Sequence, residues 1–254
     1  MSAVPAAAHT LAVLRHLAAQ PGPVPAGSIS RTLGLPRSST YHLLRVMTEA
    51  GFVVHLPEER RYGLGISAFE LGTAYTRQAP LARLARPVLA RLVDQVGHNA
   101  HLAVLHGREV LYVVEERAVG RPPLVTDVGV RLPAQLTASG RAVLAGLPSA
   151  QVRALFPDVG AFVDRHGAGP ASLTALRSLL TDTRREGFAR ENGEVTPGFA
   201  SMAMAVLDHA QHPVAGLAVT WPCDEHSVPP DLAALTQQLR AAVDALSARV
   251  SGRR

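Results

Sequence analysis

Three groups of residues in this chain of 254 have types and spacings that could do chemistry. The first lies between Arg37 and Glu49. At about 100° per residue, Ser38, Tyr41, His42, Arg45 and Glu49 fall on one side of a helix, and Thr40, Leu43, Leu44 and Met47 on the other. The polar side begins next to Arg37, offers hydroxyls, an imidazole and a guanidinium, and keeps its only acid at the far end. Such a face suits the major groove of DNA, where N-terminal residues reach base edges while hydroxyls and backbone N–H groups hold phosphates. An ordinary solvated helix face has the same composition. The second group is Thr137-Ala138-Ser139-Gly140, with a serine placed like a nucleophile. It is not Gly-x-Ser-x-Gly, and no motif supplies a histidine or carboxylate partner. The third is three pairs, His98/His101, His209/His212 and Cys223/His226. Structural zinc needs four ligands and usually several cysteines, and Cys223 is the only one. No phosphate loop, dinucleotide fingerprint or His-Glu-x-x-His is present. No catalytic residue, metal or cofactor is therefore expected, and Cys223 reads as packing.

The elements around the first group sharpen it. A helix over Thr10–Ala19 should end at Pro21-Gly22-Pro23. A second should cover Ala26–Leu33, stopped by Gly34, and a third Pro36–Ala50, with Pro36 where its missing N–H does no harm. Phe52, Val54 and Leu56 alternate, Pro57 to Arg61 turn, and Tyr62 and Leu64 alternate back, which is a hairpin signature. Its tip carries Arg60 and Arg61, suited to phosphate or minor-groove contact, with Glu58 and Glu59 beside them. A helix-turn-helix followed directly by a basic hairpin reads as a winged helix-turn-helix over residues 1–65.

A helical stretch over 66–80, closed by Pro80, joins this to residues 81–254. There, two apolar helical stripes, Leu81 to Val96 and Leu232 to Val250, bracket strand-like runs at His101–His106, Val110–Glu115, Ala200–Leu207 and Val214–Trp221. A helix over Leu173–Glu186 separates the strand pairs. That is an α+β pattern with an antiparallel sheet covered by helices.

Composition bounds the rest. Hydrophobic residues make up 47% of the chain, too many for a disordered chain. One cysteine excludes a disulfide scaffold. No uncharged stretch exceeds 15 residues, short of the roughly 18 apolar residues of a membrane span. Met1–His9 carries no secretory signal, so a cytoplasmic location is expected. All 25 basic residues are arginine, and the formal net charge is +5. Residues 1–80 hold 7 Arg and 4 acids, +3, whereas residues 81–254 hold 18 Arg and 16 acids, +2. The smaller part is the more basic per residue.

Leu33–Val53 (LGLPRSSTYHLLRVMTEAGFV) with Arg60–Gly65 (RRYGLG) closely resembles the IclR family of bacterial transcription regulators. The resemblance continues through Leu102–Glu115, Gly129–Pro148 and Arg185–Asp208, and spans about Thr10 to Val250. It departs at Gly97-His98, where the family usually has Gly-Glu. Gln135 stands for a frequent histidine, Gly140-Arg141 for Gly-Lys, and a glutamate pair is reduced to Glu194.

The resemblance implies a winged helix-turn-helix, a linker helix and a GAF/PAS-like effector-binding domain at 81–254. It implies a homodimer or tetramer that binds near-palindromic double-stranded DNA, represses a metabolic operon and responds to a small molecule. Arg37, Ser38, Ser39, Tyr41, His42, Arg45, Arg60 and Arg61 would contact DNA. Leu124, Ala138, Ser139, Glu191, Phe199, Ser201, Ala218 and Thr220 would contact the effector. Ser139 at a helix N-terminus favours an anion, with Arg121 and Arg131 adding charge, so a small organic acid with an apolar body is expected. Glu191 fits such a ligand only if it accepts a hydroxyl or amine. The other reading is a small-molecule-binding or hydrolytic enzyme whose N-terminal module makes protein contacts.

Overall fold

A computed structural model describes residues 4–78, 80–121, 124, 126–223 and 230–252, with the backbone alone for 73–78 and 80. The chain divides into two compact units, Met1–Ala79 and Pro80–Arg254.

In the first unit, α1 (Pro5–Ala18), α2 (Ala26–Leu33) and α3 (Arg37–Glu49) enclose Val13, Leu17, Ile29, Leu44 and Met47. Helix α1 starts five residues before Thr10, with Pro5 in its first turn, where proline is preorganised. Gly34 ends α2 in the left-handed region at φ 64°. Buried Leu35 follows, and Ser30 Oγ donates to the Leu35 carbonyl at 2.7 Å, closing the turn into α3.

The wing is a three-stranded antiparallel sheet in the order β1 (Val24–Pro25), β3 (Arg61–Leu64), β2 (Val53–Leu56). Two features depart from the alternation in the sequence. The short strand β1 carries no signal of its own. The buried residue of β2 is Val53, 2% exposed, whereas Val54 is 39% exposed, because the buried phase follows Val53 into the helical core. Helix α4 (Ile66–Gln78) follows.

The second unit is built on a six-stranded antiparallel sheet of order β6-β5-β4-β9-β8-β7. Its strands are β4 (Asn99–His106), β5 (Glu109–Glu116), β6 (Arg131–Pro133), β7 (Ala189–Asn192), β8 (Phe199–Leu207) and β9 (Pro213–Pro222). On one face lie α5 (Pro80–Val96) and α9 (Leu232–Val250), packed on each other. Thr236 of α9 donates to Met202 Sδ at 3.4 Å. On the other face lie α6 (Ala138–Gly146), α7 (Ser149–Leu155) and α8 (Leu173–Glu186). The register pairs Ala189 with Ala203, Ala203 with Ala218 and Ala218 with His101. These small residues pack against Ala138 and Ala142 and let α6 lie close on the sheet. A Cβ on Gly216 would overlap the Ser139 carbonyl, and one on Gly140 the Ala134 carbonyl. The N-terminus of α6 is therefore wedged between β9 and the preceding loop, and this fixes Ser139 above the sheet. The α+β architecture matches the pattern expected from the sequence. Among the described residues, no helix is long and apolar enough to cross a membrane.

Candidate functional site

Helix α3 exposes Arg37, Ser38, Ser39, Tyr41, His42 and Arg45 and buries Thr40, Leu44 and Met47. Among the described residues no side chain caps its N-terminus, which leaves its leading N–H groups available to a phosphate. Arg45 bonds Glu49 at 3.0 Å, with side chains 60% and 61% exposed, and lies 3.4 Å from His42 Nδ1. An ion pair this exposed is worth little and yields readily to a partner. At the wing tip Arg60 sits in the left-handed region at φ 53°, uncommon for a side chain of its size. Arg61 pairs with Leu56 in the sheet and donates to the Pro23 carbonyl at 3.3 Å. Arg60 is thus the more available cation. His55 stacks on Tyr62 at 4.5 Å and stiffens the wing.

In the second unit, all eight positions singled out for an effector line one cavity of about 30 Å³ between the sheet and α6. His101, Tyr112, Thr126, Thr137, Val195 and Thr196 complete its wall. Arg121 and Arg131 do not line it: Arg121 donates to the Gly97 carbonyl, and Arg131 faces Glu109 at 3.7 Å. Thr137 caps α6, accepting from Gly140 N–H at 3.0 Å. The N–H groups of Ala138 and Ser139 have no partner among the described residues.

The floor is a chain of four side chains across the sheet. Glu191 Oε1 accepts from Val195 N–H at 3.0 Å, and Oε2 from the Ser201 hydroxyl at 3.0 Å. Ser201 Oγ lies 2.8 Å from Thr220 Oγ1, which lies 2.8 Å from His101 Nε2. Burial raises the Glu191 carboxyl, against the bonds from Val195 and Ser201 that lower it. Burial pushes the His101 imidazole down to about 4. Among the described residues, the buried atoms His101 Nδ1, Thr126 Oγ1 and Ser139 Oγ have no hydrogen-bond partner. Burial pushes the Tyr112 phenol, beside Ser139, far up.

Arg141 frames the cavity from behind. It is 3% exposed and donates to the Gln135 carbonyl at 2.8 Å, the Arg190 carbonyl at 2.7 Å and Glu194 Oε1 at 2.9 Å. Arg141, which stands where the family usually has lysine, and Glu194, the one glutamate kept from the family's pair, therefore meet in one ion pair, their side chains 3% and 15% exposed.

A family model for the C-terminal domain of the bacterial transcriptional regulator IclR matches residues 73–248. A second, the IclR helix-turn-helix domain, matches residues 6–57. The chain belongs to the IclR family. The glycerol operon regulatory protein of Streptomyces coelicolor is 31% identical over 91% of this chain and 92% of its own. The transcriptional repressor IclR of Escherichia coli is 27% identical over 84% of this chain and 78% of its own. The fold is shared with an IclR homolog from Microbacterium hydrocarbonoxydans solved with 4-hydroxybenzoate. That protein has TM-score 0.81 and 21% identity over 97% of this chain and 99% of its own. This IclR-family chain is a DNA-binding transcriptional regulator and not an enzyme.

Of the histidine pairs, His101 gives Nε2 to Thr220, and His209 and His212 flank a turn in which Asp208 accepts from Ala210 and His212 N–H. His226 lies outside the described residues.

His101 also carries a pH signature. Its folded value near 4 lies below the ordinary 6.5, so between those values the unfolded chain binds the extra proton. Stability is complete above pH 6.5 and falls toward pH 4, by on the order of 3 kcal/mol at 1.36 kcal/mol per unit. Glu191, shifted the other way, offsets part of this. Unfolding titrations from pH 7 to 4 should therefore show a steeper loss for the parent chain than for His101→Gln. Equal slopes would mean that His101 titrates normally in the folded state.

Proposed function

We propose that this IclR-family chain is a homo-oligomeric, cytoplasmic repressor of a metabolic operon. The operator is near-palindromic, because two-fold protein symmetry implies paired half-sites. Residues 1–65 bind the DNA, 66–80 link, and 81–254 bind a small organic acid. The acid acts by binding one arrangement of the oligomer better than the other. Arg37, Ser38, Ser39, Tyr41, His42 and Arg45 contact the major groove, and Arg60 and Arg61 the adjoining backbone or minor groove.

The observation that carries this reading is the exposed face of α3. It has an uncapped N-terminus and cations restrained only by a surface ion pair. The effector part rests on the cavity that gathers all eight expected positions beside the free N–H groups of α6. Repression follows from relatives named as repressors.

Footprinting of the purified protein on genomic DNA tests the reading. Sharp paired half-sites are expected, and absence of enrichment anywhere would sink it. On such a site Arg45→Ala should cost on the order of 1–3 kcal/mol and relax preference at one base pair. Equal weakening on every sequence would make Arg45 a phosphate contact, and unchanged affinity would remove it from the interface.

A further inference from the structure

The hydrogen-bond chain on the cavity floor has a direction, and that direction constrains the ligand. Both Glu191 oxygens act as acceptors, one for Val195 N–H and one for the Ser201 hydroxyl. These two bonds favour the ionised form, against the burial that raises the carboxyl. Ser201 has a single proton and gives it to Glu191, so its oxygen must accept the Thr220 proton. Thr220 then has no proton left, and its oxygen must accept from His101 Nε2–H. A neutral imidazole carries only one N–H. His101 Nδ1 is therefore a bare acceptor, and no donor reaches it among the described residues. The acceptor capacity of Glu191 is taken up locally, and the acceptor offered to a ligand stands three side chains away, at His101.

The opposite wall offers donors. The N–H groups of Ala138 and Ser139 are unpartnered at the start of α6. Ser139 Oγ makes no hydrogen bond of ordinary geometry among the described residues, with the Tyr112 phenol close beside it, and Ser139 and His101 are each 1% exposed. Two different demands thus face one small space: an anion at α6 and a proton donor at His101. A cavity of about 30 Å³ suits a ligand of few heavy atoms rather than one filling the 300–1,000 Å³ of a drug-sized site.

We propose that this pocket selects a small hydroxy acid. Its carboxylate takes the Ala138 and Ser139 N–H groups and the Ser139 hydroxyl, and its hydroxyl donates to His101 Nδ1. The corresponding keto acid presents a second acceptor to the Nδ1 lone pair and is disfavoured. Thr126 Oγ1, buried and unpartnered beside them, serves either group. This rests on reading the cavity as the effector site.

Lactate and pyruvate differ at that one group, and titration calorimetry of the full chain with each is the test. Lactate should bind at least tenfold more tightly. His101→Phe removes the acceptor and should erase the preference. His101→Gln provides an amide donor for Thr220 and a carbonyl acceptor for the ligand, and should retain part of it. Equal affinities, a preference for pyruvate, or a preference that survives His101→Phe would overturn the proposal, as would failure of both acids to bind. Ala138→Leu, checked for an unchanged melting profile, separates this from the underlying reading. If the acids bind equally and Ala138→Leu blocks both, the cavity is the effector site and only the donor rule falls. If Ala138→Leu leaves binding unchanged, the cavity reading itself fails. Thr126→Leu fills the same space from the facing loop and repeats the separation should Ala138→Leu not fold.

Discussion

Arg141→Met is expected to destabilise the C-terminal unit by about 3 kcal/mol, the lower end of the range for removing one partner of a buried ion pair, because the Glu194 side chain keeps 15% of its surface exposed. Methionine fills much of the same volume, so the loss reports polar groups and not a cavity. Three acceptors lose their donor together: the Gln135 carbonyl, the Arg190 carbonyl and Glu194. Glu194 still accepts from Asn192 N–H but would keep a negative charge with little water around it. Urea unfolding followed in the C-terminal unit measures the cost. Adding Glu194→Gln to Arg141→Met should recover part of the loss, because the stranded charge is then removed. Strict additivity would mean that the ion pair contributes nothing beyond its separate hydrogen bonds. Arg141→Lys should fall between, since an ammonium keeps the charge but does not reproduce the planar fork that spans three acceptors. The effect should also reach the ligand. Arg141 ties the segment before Thr137 and Ser139 to the strand carrying Glu191, so effector affinity should fall along with stability.

What the sequence disclosed, and what it hid, follows from the kind of signal each element leaves. Helices α2 and α3 are bounded by Gly34 and Pro36, residues whose backbone restrictions act locally, and their limits were legible to within a residue or so. The start of α1 was not, because Ala6, Ala7 and Ala8 carry no apolar stripe. The two-residue strand β1 exists only through its pairing with Tyr62 and Arg61, a long-range fact. In the second unit, the four strands with clustered apolar residues were legible. The short edge strands β6 and β7 were not, for they are three and four residues long and partly polar. The eight cavity positions came from the family resemblance, and periodicity alone would not have assembled them. In the sequence His101 stands out only as half of a histidine pair. The first five residues of β4 are all buried, so no alternation marks which face His101 takes. Its meaning depends on Thr220, 119 residues away. Arg141 was visible as a departure from the family's usual lysine, but the departure acquires a physical reason only with Glu194 opposite it.

Gly65→Val should abolish specific DNA binding while leaving the C-terminal unit intact. Two backbone turns cross where α3 runs into β2 and where β3 runs into α4. Gly51 leaves α3 at φ 75°, and its carbonyl accepts from Ser67 N–H at 3.0 Å, while Gly65 N–H donates to the Phe52 carbonyl at 2.9 Å. A Cβ on Gly65 would overlap the Gly51 carbonyl oxygen and approach the Gly51 and Val53 carbonyl carbons at 3.0 and 3.1 Å. All three are backbone atoms, so no rotamer change relieves the clash. The wing must swing away from α3 or the hydrogen bonds must break. Overpacking of this kind costs about 1–3 kcal/mol even where side chains can yield, and here the upper end is expected. A unit of 79 residues has only about 4–12 kcal/mol of stability at 0.05–0.15 kcal/mol per residue, so the clash takes a large share of it, and a wing swung away no longer sits in fixed geometry beside the recognition helix. Gly63→Ala is the control. Its Cβ would meet mainly the Pro23 side chain, at 3.3 Å, which can shift, so binding should change little. Melting curves with separate probes in each unit, alongside gel shifts on the footprinted operator, decide the matter. A lower first transition with an unchanged second one, and loss of the shifted band for Gly65→Val alone, is the expected pattern. Operator binding by Gly65→Val at parental affinity would show that the crossing can open without disturbing α3.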